Sequence, residues 1–353
     1  MKVIVAIDSF KGCLSSEEAN QAAAEGIRHA CPHAQIISVP VSDGGEGFLD
    51  AIYVSTGGHW INATVNDPLM RPVIAKYLLQ GKEAFIEMAQ ANGLSLLSPV
   101  ERNPLLTSTY GTGQLVADAI RRGAEHIIVG LGGSATSDAG KGMLRALTDA
   151  FSTDGTWQGI HSISSIRFTI ATDVNNPLYG PNGAAHVFGP QKGATPDMVL
   201  QLDRQARQFA ELSAQQLGHD CSYTPGAGAA GGLGYAFLQY LHADVQPGIQ
   251  LLLQTVHFDQ IIRDADLVIT GEGSADSQTL MGKLPMGILQ YAPKVPVFLI
   301  AGQVKNQDLL QQAGFAHVTS INSERLPLQE AIKKEVALQN ISNTTSQLIQ
   351  GTF

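Results

Sequence analysis

Apolar residues near the start of the chain occur first as a continuous run and then at helical spacing. Residues 3–7 form an uninterrupted apolar run, which is typical of a parallel strand covered on both faces. Ser15 and Glu18 have the spacing of a capping box, and the alanines after them recur at the period of a helix until Pro32. A second apolar run follows at residues 35–39, so this region predicts a βαβ unit.

The end of the chain repeats this alternation. Apolar runs at residues 267–270, 297–301 and 317–321 predict strands, and residues 307–313 and 328–347 predict helices. Strands and helices that alternate in this way are typical of an α/β fold with a doubly wound sheet, of the Rossmann or flavodoxin-like kind. Both ends of the chain would contribute to that one sheet.

The middle of the chain has a different pattern. Residues 59–65 and 71–79 predict two strands that pair antiparallel around the turn NDPL. Residues 126–130 and 168–171 predict buried strands, and residues 197–218 predict an amphipathic helix. This region therefore predicts a second α/β domain of its own.

These patterns predict a domain inserted into another domain. We expect residues 1–58 and 262–353 to form the doubly wound domain, and residues 59–261 to form the inserted α/β domain. A chain of 353 residues is also longer than one hydrophobic core usually supports.

Charge and cysteine content narrow the classes of function. The formal net charge is −9, and no run of lysine or arginine interrupts it, so nucleic acid and anionic membranes are poor partners. The three cysteines are scattered without a CxxC pair, as is typical of a reducing compartment. The opening MKVIVAID is too short an apolar run for a signal peptide, and no stretch approaches the ~20 residues of a membrane span. We therefore predict a cytoplasmic protein, whose oligomeric state the sequence leaves open.

Polar, glycine-containing turns follow the first two predicted strands. IDSFKG places Ser9 and Lys11, next to Asp8, at the carboxyl end of the first strand, where open α/β sheets bind ligands. SDGGEG places Asp43 and Gly44 after the second strand, and its glycines let the backbone approach a ligand closely. Each segment also fits an ordinary polar turn between a strand and a helix.

A glycine- and hydroxyl-rich loop, GLGGSATSDAG, follows the strand predicted at residues 126–130. A strand, then glycines with hydroxyls, then a helix is a combination that binds phosphate at the helix N-terminus, which points to Gly132, Gly133 and Ser134. The loop is not a Walker A motif, because GxxxxGK[ST] is absent, and the protein-kinase HRD and DFG signatures are also missing.

Acidic residues and lysines follow two later strands. Asp173 closes one predicted strand, and Lys192 lies in a loop that is too polar for a core. TGEGSADSQTLMGK places Glu272 and Asp276 in a loop after a buried strand, with Lys283 close behind. A carboxylate pair and a lysine are what a site for ATP with Mg²⁺ requires, although a salt bridge within the loop would look the same in the sequence.

The segment GAGAAGGLG contains the letters of a dinucleotide fingerprint, GxGxxG. No apolar strand precedes it, so the match is weak evidence for a nicotinamide cofactor. A glycine-lined helix start near phosphate, with Gly228, or close packing between domains fits the segment better. An NAD(P)-binding oxidoreductase is the alternative from another class of enzyme.

Eight segments of the chain, in this order, resemble the bacterial type 1 glycerate kinase family. They are IDSFKGCLSSEEA, SDGGEGF, AFIEMAQANGL, TSTYGTGQL, GLGGSATSDAGKGM, DVNNPLYGPNGAAHVFGPQKGAT, GAGAAGGLG and GEGSADSQTLMGK. Together they extend over about four-fifths of the chain.

The resemblance implies a kinase that uses ATP and Mg²⁺ to phosphorylate D-glycerate, usually at the 2-hydroxyl, with its site in the cleft between two different α/β domains. On this basis we expect Glu272 to bind the metal and Lys283 to stabilise charge in the transition state, with Asp173 and Asp276 as alternative bases. The remaining assignments are Ser9, Lys11, Asp43 and Gly44 for glycerate, and Gly132, Gly133, Ser134, Lys192 and Gly228 for the nucleotide.

One departure from the family pattern bears on the substrate. The family segment usually reads close to GEGRID, and here Ser274 and Ala275 replace the Arg-Ile pair. A serine cannot replace the bidentate contact of an arginine with a phosphate or a carboxylate. A kinase of another short hydroxy acid is therefore the nearest alternative, and a ligand sensor that has lost the chemistry is a more distant one.

Overall fold

A computed structural model describes residues 1–10, 12–42, 45, 47–323 and 325–352. Lys11, Asp43 and Gly44, which the sequence assigns to the acceptor site, lie outside the described residues. The chain divides into a first unit, Met1–Asp43, Asp50–Thr56 and Ile249–Phe353, and a second unit, Gly44–Leu49 and Gly57–Gly248.

Strands and helices alternate along most of the chain. The strands are β1 (Lys2–Ile7), β2 (Gln35–Ser38), β3 (His59–Asn66), β4 (Pro72–Gln80), β5 (Glu83–Glu87), β6 (His126–Gly130), β7 (Arg167–Ala171), β8 (Asp244–Gln246), β9 (Leu267–Ala275), β10 (Val297–Val304) and β11 (His317–Ser320). The helices are α1 (Ser16–Ala30), α2 (Phe48–Thr56), α3 (Ala89–Asn92), α4 (Tyr110–Arg121), α5 (Lys141–Phe151), α6 (Ala184–Phe188), α7 (Pro196–Leu217), α8 (Ala229–Leu241), α9 (Gly248–Thr255), α10 (Phe258–Ile261), α11 (Leu284–Tyr291), α12 (Gln307–Gln312), α13 (Leu328–Ala331) and α14 (Lys334–Thr352).

The first unit is built on a parallel sheet with the strand order β11-β10-β9-β1-β2. The five apolar residues of β1 from Val3 to Ile7 are fully buried, as expected of a central strand. The predicted capping box starts α1: the Ser15 hydroxyl accepts from the Glu18 amide, and the Glu18 carboxylate accepts from the Ser15 amide. The prediction of a doubly wound α/β sheet is confirmed.

The strand order of the first unit reverses between β1 and β9. From β1 the chain moves to β2 on one side, whereas β9, β10 and β11 follow one another on the other side. Because crossovers between parallel strands are right-handed, the helices after β1 and after β9 lie on opposite faces of the sheet. The loops at the carboxyl ends of these two strands then separate and leave a crevice, which is where open α/β sheets bind ligands.

The second unit is built on a sheet with the order β3-β4-β5-β6-β7-β8. β3, β4 and β5 pair antiparallel, and β5 to β8 pair parallel. The antiparallel pair predicted around NDPL is confirmed, with Asn66 opposite Pro72 at the turn. The buried apolar residues of β5, β6 and β7 form one core with those of α4, α5 and α8. The carboxyl ends of the parallel strands carry the polar loops described below.

Among the helices of the described residues, none is both long enough and apolar enough to cross a membrane.

Candidate active site

Polar residues of the first unit gather where β1 and β9 end. Ile7 is paired with Gly271, so Asp8 and Glu272 follow at the same level of two neighbouring strands. The amide of Asp8 donates to the carbonyl oxygen of Gly271 at 2.9 Å, which continues the pairing one residue beyond β1. The amide of Ser9 donates to Asp8 Oδ1 at 2.7 Å. Two carboxylates therefore lie at the crevice where the strand order reverses.

Glu272 is held at this edge by two side chains. It is 7% exposed, its Oε1 accepts from Thr279 Oγ1 at 2.6 Å, and its Oε2 lies 3.8 Å from Lys283 Nζ. The hydroxyl compensates for burial of the carboxylate, and the partly exposed lysine adds a counter-charge at longer range. The sequence pattern placed Glu272 in a loop, and this was wrong: β9 continues to Ala275 because β10 pairs with it over that length. Glu272 therefore projects from a rigid strand.

Asp276 and Lys283 lie at the two ends of the loop that follows β9. Asp276 Oδ1 accepts from the Gln278 amide at 2.8 Å, which forms an Asx turn. Lys283 is the residue before the first turn of α11, and 43% of its side-chain surface is exposed. The carboxylate of Asp276 thus shapes the loop, while the lysine can reach both Glu272 and solvent.

Gly132, Gly133 and Ser134 form a turn after β6 in the second unit. Ser134 is buried and pairs with Gly93 in an isolated β-bridge, and the carbonyl oxygen of Gly133 accepts from the Leu94 amide at 2.9 Å. The glycines of this turn are less buried than Ser134, so their backbone is accessible to a ligand.

Lys192 supports this turn from the interior of the unit. It is 2% exposed, and its Nζ donates to Ser134 Oγ at 2.7 Å and to the carbonyl oxygen of Thr136 at 2.6 Å. Burial lowers the pKa of Lys192 to about 7, and the charge of Asp138 partly opposes this change. The prediction that Lys192 occupies a loop too polar for a core was wrong. Lys192 can be buried because its ammonium donates to two oxygen acceptors and its aliphatic stem packs in the interior.

The first turn of α5 does not offer the phosphate site that the sequence suggested. Asp138 accepts from Gly142 through Oδ2 at 3.0 Å and from Lys141 through its carbonyl oxygen at 3.1 Å. The amide of Met143 donates to Thr109 Oγ1 at 2.9 Å. All three amides of the turn are therefore bonded within the protein and are not available to a phosphate.

The glycine segment 226–234 packs against other loops of the second unit. The amide of Gly228 donates to the carbonyl oxygen of Asn176 at 2.8 Å. A Cβ on Gly228 would lie 2.4 Å from the carbonyl oxygen of Pro177. A Cβ on Gly231 would lie 2.0 Å from the carbonyl oxygen of Thr136. Close backbone approach explains these glycines. The element before α8 is α7 rather than a strand, so the context of a dinucleotide fingerprint is missing.

Asp173 and Glu87 lie at carboxyl ends of strands of the second unit. Asp173 is exposed two residues after β7, and its Oδ1 accepts from the Gly248 amide at 3.3 Å. Glu87, the last residue of β5, is 6% exposed and accepts from the Leu49 amide at 3.0 Å. The sequence patterns described above did not point to Glu87. The apolar run AFIE ends in this glutamate, and an acidic residue at the end of a buried strand could have indicated it.

Asp8 and Glu272 are carboxylates of the first unit at which a metal ion could bind. Among the described residues, no group of three or more His, Cys, Asp or Glu side chains is placed to hold one. Mg²⁺ is usually bound through one or two carboxylates, with waters and phosphate oxygens completing the octahedron. Asp8 and Glu272 therefore fit a cation that arrives with a nucleotide.

A model of the glycerate kinase family matches residues 3–352. The chain belongs to the glycerate kinase family. Similar curated proteins are the glycerate kinase of Bacillus subtilis (strain 168), 43% identical, and the glycerate 2-kinase of Escherichia coli (strain K12), 40% identical. Each alignment covers 94% of this chain and 93% of the relative.

The fold of this glycerate kinase family member also has a solved counterpart. A crystal structure named as a glycerate kinase 2 from Salmonella typhimurium LT2 superposes with a TM-score of 0.83 at 38% identity, over 99% of this chain and 98% of that one. The family predicted from the sequence motifs is confirmed, and with it the reaction class, an ATP-dependent kinase with a hydroxyl group as acceptor.

In this family member the positions of the expected Arg-Ile pair belong to β9. Ser274 is exposed and stands opposite Gln303 of β10, and Ala275 is buried opposite Val304. The serine side chain is short and ends in a neutral hydroxyl. This position therefore supplies no guanidinium to a bound anion.

Proposed function

We propose that this protein transfers the γ-phosphoryl group of ATP to the 2-hydroxyl of D-glycerate. The observation that carries the proposal is the group formed by Glu272, Lys283 and Asp8, where the strand order of the first unit reverses. Carboxylates for a magnesium ion and a lysine for phosphate charge are the parts that phosphoryl transfer needs. Relatives named glycerate kinase and glycerate 2-kinase support the acceptor and the position of attack.

We assign the phosphate side of the reaction to three residues of the first unit. Glu272 and Asp8 would hold Mg²⁺, which when bound neutralises charge on the phosphate oxygens. Lys283, hinged at the start of α11, would place its ammonium on the oxygens that gain charge during transfer. Since Glu272 is fixed in β9, its carboxylate is positioned before the substrates arrive.

In the transfer step, a base accepts the proton of the glycerate hydroxyl, and the hydroxyl oxygen attacks the γ-phosphorus of ATP. The bond from phosphorus to the bridging oxygen breaks, and ADP leaves with that oxygen. Asp173 and Asp276 are the two candidate bases. Asp173 is exposed beyond β7 and accepts from the Gly248 amide, and Asp276 closes an Asx turn through Oδ1, so we keep both as alternative bases.

We propose that the second unit binds the nucleotide phosphates through the turn Gly132, Gly133 and Ser134. Lys192 would act on the nucleotide by fixing that turn, because its Nζ is bonded to Ser134 and Thr136 and its side chain is buried. Gly228 would contribute indirectly, by allowing close packing of the neighbouring loop.

On the acceptor side we propose Ser9, Lys11, Asp43 and Gly44 for glycerate. Ser9 follows Asp8 at the carboxyl end of β1, which supports its assignment. We further propose that the enzyme acts in the cytoplasm. Its three cysteines are free, and its net charge of −9 favours small-molecule substrates over nucleic acid.

The position of attack can be read directly from the product. We expect D-glycerate, ATP and Mg²⁺ to give 2-phosphoglycerate, which enolase converts at once without a phosphoglycerate mutase. L-glycerate, glycolate, lactate and tartrate serve as competing acceptors in the same assay. A product that enolase accepts only after mutase is added would contradict phosphorylation at the 2-hydroxyl. Faster turnover of another acid would favour the alternative that Ser274 suggests.

Removal of divalent metal should abolish turnover. Lysine alone leaves most of the triphosphate charge unneutralised, and this chain has no Walker A lysine loop to supplement it. We expect excess EDTA to stop ADP release and added Mg²⁺ to restore it fully, while the circular dichroism spectrum stays unchanged. Undiminished turnover in metal-depleted buffer would contradict the roles given to Glu272 and Asp8.

A further inference from the structure

We propose that Thr279 is a positioning residue that orients the carboxylate of Glu272 and couples it to the loop carrying Lys283. The inference rests on the proposed function, since it concerns how the phosphate side of that site is held in place. It gives a role to a hydroxyl within the segment GEGSADSQTLMGK that the reaction class does not identify.

The direction of each hydrogen bond at Thr279 is fixed by its partners. Thr279 is 0% exposed, and its Oγ1 lies 3.0 Å from the amide of Asp276 and 2.6 Å from Glu272 Oε1. An amide can only donate and an ionised carboxylate can only accept, so the single hydroxyl proton must point to Glu272. The hydroxyl therefore has one orientation, and it fixes Oε1 of Glu272 while Oε2 is directed to Lys283.

The same hydroxyl joins the loop to the strand. The amide of Thr279 donates to the carbonyl oxygen of Asp276 at 3.0 Å, and the amide of Met281 donates to the carbonyl oxygen of Gln278 at 3.0 Å. The loop is therefore a series of tight turns. Lys283 follows these turns at the start of α11. If the hydroxyl is removed, the Asp276 amide and Glu272 Oε1 each lose a partner, and the lysine loses its fixed distance to the carboxylate.

The test compares Thr279→Val, which keeps the shape of the side chain, with Thr279→Ser, which keeps the hydroxyl. A hydrogen bond to a charged group is strong enough that we expect Thr279→Val to lower kcat by about tenfold or more, with the KM for the acceptor within about twofold. Thr279→Ser should retain at least about a third of the wild-type kcat. Equal losses in both variants would show that packing, not the hydroxyl, matters, and would overturn the proposal.

A double-mutant cycle with Lys283→Met separates positioning from general stability. If Thr279 acts through Glu272 and Lys283, the Val substitution should lower kcat by a smaller factor in the Lys283→Met background than in the wild type. Additive losses would contradict the proposal, as would a Thr279→Val protein whose folded fraction keeps wild-type kcat. The affinity of Mn²⁺ with ADP, followed by electron paramagnetic resonance, gives a readout besides turnover and should weaken in Thr279→Val but not in Thr279→Ser.

The kinetics are run with whichever acceptor the wild type phosphorylates fastest. Failure with glycerate would then overturn the proposed substrate while the comparison at Thr279 still holds. Failure of the comparison, with glycerate as a good substrate, would overturn Thr279 alone.

Discussion

A Lys283→Met variant should lose at least about 100-fold in kcat while its thermal midpoint changes little. Methionine preserves the length of the side chain and removes its charge, and one preorganised electrostatic contact in a transition state has about this effect. The loss of stability should be small, because 43% of the lysine side chain is exposed and its distance to Glu272 is 3.8 Å. Steady-state kinetics and thermal unfolding of the same preparations check both parts.

The matched control is Lys294→Met, which removes an exposed lysine of the same unit. We expect it to keep wild-type kcat and thermal midpoint. A Lys283→Met protein that unfolds at lower temperature while its folded fraction keeps normal kcat would show that Lys283 only forms a salt bridge with Glu272.

Lys192 should make the stability of the protein depend on pH in the alkaline range. Burial lowers its folded-state pKa from 10.5 to about 7, so between these values the unfolded chain binds a proton that the folded chain does not. The free energy of unfolding therefore rises with pH across this window, and the cost of the buried lysine is fully present below about pH 7. The contribution is at most about 1.4 kcal/mol per pH unit, or about 5 kcal/mol in all.

Urea unfolding of the wild type and of Lys192→Met at pH 7, 8, 9 and 10 measures this contribution. The difference between the two free energies of unfolding should shift in favour of the wild type as pH rises, because methionine has no proton to lose. Lys141→Met, an exposed lysine of the same unit, should leave the slope unchanged. Parallel curves for the wild type and Lys192→Met would show that Lys192 is charged throughout, balanced by Ser134 and Thr136.

Local sequence patterns were sufficient for most of the elements. The strand at residues 126–130 and the hairpin around NDPL have the predicted limits to within a residue or two, because each is marked by apolar runs and turn residues next to one another. The helix expected at residues 328–347 is instead two helices, α13 and α14, although the periodicity runs through the break.

The environment of single side chains was harder to foresee than the elements that carry them. Glu272 looked like a loop residue because GEGSA has the composition of a turn, yet pairing with β10 extends β9 through it. The glycines and hydroxyls after β6 suggested a helix N-terminus ready for phosphate, but Asp138 and Thr109 already bond the amides of that turn.

The sequence by itself determined the alternation of strands and helices and the motif order that marks the glycerate kinase family, and it supplied the candidate residues for phosphoryl transfer. Only the tertiary structure decided how those residues are held. β1 and β9 are neighbours although the bond from Thr270 to Ala6 joins positions 264 residues apart, and Lys192 reaches Ser134 across 58 residues. The physical reason is that burial and hydrogen-bond partners depend on segments brought together by packing, whereas spacing along the chain records only neighbours in sequence.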